Sequence, residues 1–97
     1  MATLYQVKQV NGVYTPETIE VKPKSGKTFS LSELHGFVEG YIEIVELKDG
    51  KIMVVNEEGK LKDLPFNPAA TKIYSEVYTS RDIIVGNALV CKSTEIK

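Results

Sequence analysis

Two apolar runs meet at Lys48-Asp49-Gly50-Lys51 in the middle of the chain, and this arrangement constrains the fold more than any other stretch. Asp-Gly between such runs is a strong hairpin signal, because a type I′ turn needs positive φ at both central residues. In Tyr41–Leu47, Ile42 and Ile44 point to one face, while Tyr41, Val45 and Leu47 point to the other with Glu43 among them. Ile52-Met-Val-Val55 is apolar on both faces, as in a strand covered on both sides or in one whose second face meets another subunit. These two segments are the candidate central strands.

The flanking segments extend this pattern. Asn11-Gly12 separates Leu4–Val10 from Val13–Val21 and predicts a second hairpin, with strands over 3–10 and 13–21. Pro16 cannot donate a ladder hydrogen bond, so its strand lies at a sheet edge or breaks into a loop over 15–18. Ser30-Leu-Ser-Glu33 matches a capping box and predicts a helix over 31–38, with Leu31, Leu34 and Phe37 or Val38 facing inward and Gly40 as a left-handed stop. Asn67-Pro68 marks a second helix start, and Ala69, Ala70, Ile73, Tyr74 and Val77 form its apolar stripe. Tyr74 and Tyr78 are spaced to stack on that face. Between the hairpin and this helix, Asn56-Glu57-Glu58-Gly59 is a turn, with Gly59 free to take positive φ, and Leu61–Phe66 is extended. Gly86-Asn87 either interrupts one strand or is a tight turn between short pieces, and a turn-like entry into a final strand over 88–92 is expected. The tail from Lys92 to Lys97 is expected to fray.

The expected fold is α+β: a mainly antiparallel sheet of about five strands with two short helices packed on one face. Ninety-seven residues make one domain, residues 1–97, with an N-terminal hairpin over 1–21. Cys91 is the only cysteine, so an intrachain disulfide is impossible; it reads as a small apolar residue, and the chain as a cytoplasmic protein. The first residues lack the apolar centre of a signal peptide. No apolar run approaches the roughly 20 residues of a membrane span.

The formal net charge is -1, with 12 basic against 13 acidic residues, which gives no electrostatic basis for nucleic-acid binding. A local stripe from Lys22, Lys24 and Lys27, joined by Lys60 and Lys62, is the arrangement that would restore one. Ser25-Gly26-Lys27-Thr28 supplies only the tail of a phosphate loop, since Val21 stands where the earlier glycine belongs. His35 is the sole histidine and lacks the partners of a metal ligand set. No catalytic residue, metal site or cofactor is assigned.

A ligand or partner is expected at the turn Asn56–Gly59 and the loop Leu64–Asn67, which names Asn56, Glu57, Glu58, Phe66 and Asn67. Phe66 can anchor a partner there; the plainer reading is that it plugs the core beside Pro65. The main functional expectation is a non-enzymatic binding module. A small hydrolase using Glu57, Glu58 or Asp63 is one alternative, and a weak nucleic-acid-binding protein is another. The doubly apolar strands also lead to an expectation of a homodimer, because two short helices leave apolar face uncovered.

Gly40-Tyr-Ile-Glu, Val54-Val-Asn-Glu-Glu-Gly59, Leu64-Pro-Phe-Asn-Pro-Ala-Ala70 and Asp82-Ile-Ile-Val-Gly-Asn-Ala-Leu-Val90 follow one another in order. Together they resemble a small uncharacterised domain family that is common in bacteriophages, plasmids and other bacterial mobile elements. The resemblance covers residues 34–91 and does not clearly include the first hairpin. It implies an accessory protein of a mobile element and carries no catalytic residues.

Overall fold

A computed structural model describes residues 2–79 and 81–96. Strands β1 (Ala2–Val10) and β2 (Val13–Val21) are followed by helix α1 (Leu31–Val38), strands β3 (Ile42–Glu46) and β4 (Lys51–Asn56), helix α2 (Pro68–Val77) and strand β5 (Ala88–Lys92). The five strands form one sheet in the order β2-β1-β5-β4-β3, and every pairing is antiparallel.

Both hairpin turns follow the sequence. Asn11 (φ 52°) and Gly12 (φ 80°) are left-handed, as are Asp49 (φ 59°) and Gly50 (φ 72°). The register also explains why Pro16 does not break β2. Val10 faces Val13 across the two-residue loop, and bonded and non-bonded pairs alternate from there. Pro16, opposite Val7, falls on a non-bonded pair, so its missing N–H would have pointed away from β1. As expected, β2 is an edge strand.

The helices lie on opposite faces of the sheet instead of sharing one. Leu34 and Val38 of α1 pack with Ala2, Leu4, Ile52, Val54, Leu89, Cys91 and Phe29. Ala70, Ile73 and Tyr74 of α2 pack on the other face with Met53, Val55, Ala88, Val90, Val45 and Leu47. The reason is the double apolarity of β4: its even and odd residues each need a cover, and each helix supplies one. Residues 52–55 are all buried. The first of the two readings of this run, a strand covered on both sides, is what the chain forms.

Only one of the two candidate central strands is interior. β4 lies between β3 and β5, whereas β3 is the outer strand, with Ile44 within it and Tyr41 just before it exposed. Between β4 and α2, the turn expected at 56–59 continues through residue 63, where the sequence predicts an extended segment from Leu61. The Lys62 N–H donates to the Glu58 carbonyl (3.0 Å) and the Leu64 N–H to the Gly59 carbonyl (3.0 Å). At the end of α1, Glu39 (φ 63°) takes the left-handed position expected of Gly40.

The tail, expected to fray, carries regular structure over its described part. Ser93–Glu95 is a 3-10 turn. The Ser93 N–H donates to the Gly50 carbonyl (2.8 Å), and the Phe29 N–H to the Glu95 carbonyl (2.6 Å). Ile96 pairs with the fully buried Phe29 and packs against the α1-side core. Lys97 lies outside the described residues.

Candidate functional site

Asn56, at the end of β4, is buried, and both ends of its side-chain amide are used. Its Nδ2 donates to the Val38 carbonyl (3.0 Å), and its Oδ1 accepts from the Glu58 N–H (2.8 Å). One side chain therefore joins the end of α1 to the first turn after β4. The spacing of the chain leaves room for it: a β-carbon on Gly40 would stand 2.6 Å from Asn56 Nδ2.

Asn67 is fully buried and acts as the N-cap of α2. Its Oδ1 accepts from the Ala70 N–H (3.1 Å), while its Nδ2 donates to the carbonyls of Tyr5 (3.0 Å) and Gly86 (2.8 Å). Its own N–H donates to the Ile84 carbonyl (2.9 Å), and Thr71 Oγ1 both accepts from the Ile84 N–H and donates to its carbonyl. Asn67 thus belongs to the scaffold that fixes residues 84–86 against α2, and it offers no surface to a ligand.

These two anchors hold opposite walls of a groove of about 190 Å³ on the α2 side of the sheet. The loop after β4 contributes Asn56, Glu57, Gly59, Lys60 and Leu61; the segment before β5 contributes Asp82–Val85; Glu43 and Val45 of β3, Val55 of β4 and Tyr74 of α2 complete it. Gly59 is not left-handed; a β-carbon there would come within 2.9 Å of Val85 Cγ2, so the two loops meet because this residue is small. Lys60 pairs with Asp82 across the mouth. Hydrogen bonds from Lys60, then from the Ile83 N–H, hold the Asp82 carboxyl below the usual carboxylate range. Glu43 and Glu57 enter no ion pair among the described residues, so the rim is acidic over an apolar floor.

Of the five residues named from sequence, Asn56 and Glu57 line the groove. Glu58 does not line it; its carboxylate lies 3.9 Å from Lys62 Nζ. Phe66 bridges Val85 through the backbone and leaves its ring half exposed, so it does not plug the core. Asp63, exposed at φ 51°, is also absent from the lining.

Two of the five lysines of the expected stripe meet carboxylates. Lys60 faces Asp82 and Lys62 faces Glu58, while the backbone N–H of Lys24 donates to Glu33 Oε2 (3.0 Å). Ser25 Oγ accepts from the N–H groups of Lys27 (3.2 Å) and Thr28 (3.2 Å), so this segment is a closed polar turn. His35 packs edge-on to Tyr41, with ring centroids 5.8 Å apart. Tyr74 and Tyr78 are stacked at 4.8 Å, and the Tyr78 hydroxyl donates to the Glu46 carbonyl (2.5 Å) beside the groove.

One structural residue escaped the sequence reading. Asn87 Oδ1 accepts from the Val7 N–H (3.1 Å), just past the end of the β1–β5 pairing, and its Nδ2 donates to the Phe37 carbonyl (3.1 Å). The signal for it was its position immediately before a strand, next to a glycine.

The fold and groove define a small α+β domain, an antiparallel sheet between two helices with a polar-rimmed cleft beside one edge strand. Over residues 7–96 the sequence matches a domain of unknown function, DUF3846, and the chain belongs to that family. The match takes in most of the first hairpin as well as the segment over 34–91. No curated protein and no solved structure matches the chain.

Proposed function

We propose that this protein is a non-enzymatic binding module, an accessory or regulatory factor of a bacterial mobile element or phage that works in the cytoplasm. The ordered motifs over 40–90 support the mobile-element context. No described helix is long and apolar enough to cross a membrane. The observation that carries the binding role is the groove itself, two loops fixed by the buried Asn56 and Asn67 around an apolar floor. A rigid scaffold presenting exposed loop groups is the usual setting of recognition.

The hydrolase alternative loses support because its paired carboxylates diverge: Glu57 lines the groove and Glu58 turns to Lys62. A nucleic-acid interface loses support because Lys60 and Lys62, which would extend the stripe of Lys22, Lys24 and Lys27, are engaged by carboxylates. Self-association is a second reading, favoured by the exposed Val10, Val13 and Tyr14 at the tip of the first hairpin. Light scattering at micromolar concentration tests it, and a monomer refutes it.

A photo-crosslinking residue at Leu61, which is 86% exposed and lines the groove, tests the binding role. In the bacterial host, the reading expects a discrete adduct that disappears when Glu43 and Glu57 are both changed to Lys. No adduct, or one indifferent to the double change, contradicts it.

A further inference from the structure

The sheet has two edges, and they differ in what they offer. Along β2 the outward-facing residues are Tyr14, Pro16, Thr18 and Glu20, and Pro16 removes a donor from the middle of that row. The other edge, β3, contains no proline. The Leu47 N–H donates to the Lys51 carbonyl and the Glu57 N–H to the Tyr41 carbonyl (both 2.9 Å), so odd-numbered residues of β3 turn toward β4. Alternation then points the backbone groups of Ile42, Ile44 and Glu46 outward. Tyr78 occupies the Glu46 carbonyl. Among the described residues, Ile42 and Ile44 remain, with the Glu46 N–H, as a short open ladder.

The groove lies along this same strand, with Glu43 and Val45 of β3 in its wall. A strand added to β3 would place alternate side chains on the α2 face, beside Glu43 and within reach of Glu57. Its other side chains would meet the exposed Ile44 on the α1 face. Glu43 and Glu46 along the edge, and Glu57 at the rim, make this surface acidic. Two copies of it would bring like charges together, whereas a basic strand would be complementary.

We propose that β3 and the groove beside it receive an extended basic peptide segment of a partner protein, which adds as a sixth strand with Lys or Arg toward Glu43 and Glu57 and apolar residues toward Ile44. This inference rests on the binding-module reading and names the chemistry of its partner.

The test uses the full chain and two fluorescent octapeptides, one alternating Lys and Val, the other Glu and Val. By anisotropy at low salt, the basic peptide binds and the acidic one does not. Changing Glu43 and Glu57 to Lys weakens binding by about tenfold or more. Ile44→Pro, which removes an outward N–H from the edge strand, abolishes it, with a thermal melt as the check on folding. A basic peptide N-methylated at alternate amides is the second probe, independent of any variant: it fails to bind. Binding that survives both Ile44→Pro and N-methylation shows diffuse charge attraction and overturns strand addition. A protein that ignores the basic peptide yet keeps its Glu43- and Glu57-dependent cellular adduct overturns this inference alone and leaves the binding module standing.

Discussion

Gly40 and Asn56 are fitted to one another: a β-carbon on Gly40 would stand 2.6 Å from the Asn56 amide nitrogen, which is bound to the Val38 carbonyl. The constraint is one of space and not of backbone angle, because Glu39 carries the left-handed turn that ends α1. Gly40→Ala is therefore expected to destabilise the protein by about 1–3 kcal/mol in urea unfolding, the usual cost of overpacking. In an Asn56→Ala background the same change costs less, and the double-mutant cycle shows coupling of about 1 kcal/mol or more. Additive effects would mean that the two residues do not compete for this space.

Asn67 caps α2 and supplies two buried donors. Asn67→Ala loses the cap and strands the carbonyls of Tyr5 and Gly86. The expected cost is about 2–4 kcal/mol by chemical denaturation. Asn67→Asp keeps the acceptor but sets a carboxylate against those carbonyls, and is expected to be no better. A loss below about 1 kcal/mol for both variants would contradict a scaffold role.

Acid sensitivity follows from the capping box of α1. The Ser30 N–H, then the Lys24 N–H, hold the Glu33 carboxyl below its ordinary value of 4.5. A depressed folded-state pKa means a contribution that is complete above the ordinary value and lost as the pH falls through the folded one. The melting temperature should fall below about pH 4.5. The fall should be shallower in Glu33→Gln, which loses the titrating group. Parallel acid profiles for the two proteins would contradict this.

The folded hairpins and helix starts were legible in the sequence because each rests on local chemistry: paired turn residues at 11–12 and 49–50, the capping box at 30–33, and Asn67-Pro68. The placement of the helices was not, because amphipathic stripes say that a face is buried and not which side of the sheet buries it. The groove was half legible. Turn chemistry located Asn56 and Glu57, but polarity alone could not separate Asn67, which is bonded to distant carbonyls of β1 and Gly86, from a residue free to meet a ligand. The tail docks on Phe29 through contacts that span the chain, and no local signal marks them.

Cys91 packs in the α1-side core, and burial, followed by the nearby Glu95 carboxylate, pushes its thiol up to about 11. The thiol should resist aromatic disulfide reagents at pH 8 in the native protein and react fully once denaturant unfolds it. Because the fold prefers the neutral form, its contribution is complete below the ordinary value of 9.0 and is lost as the pH rises toward about 11. Rapid modification of the native protein would contradict the packing.

The claim that the cleft beside β3 is the working surface is tested most directly by titrating isotopically labelled full-length protein with the Lys-Val octapeptide and following its amide resonances. The account predicts saturable shifts concentrated in residues 42–46, 57–61 and 82–85, with α1 and the tip of the first hairpin unmoved. Shifts centred on the first hairpin or on α1, or no shifts at millimolar peptide, would contradict it.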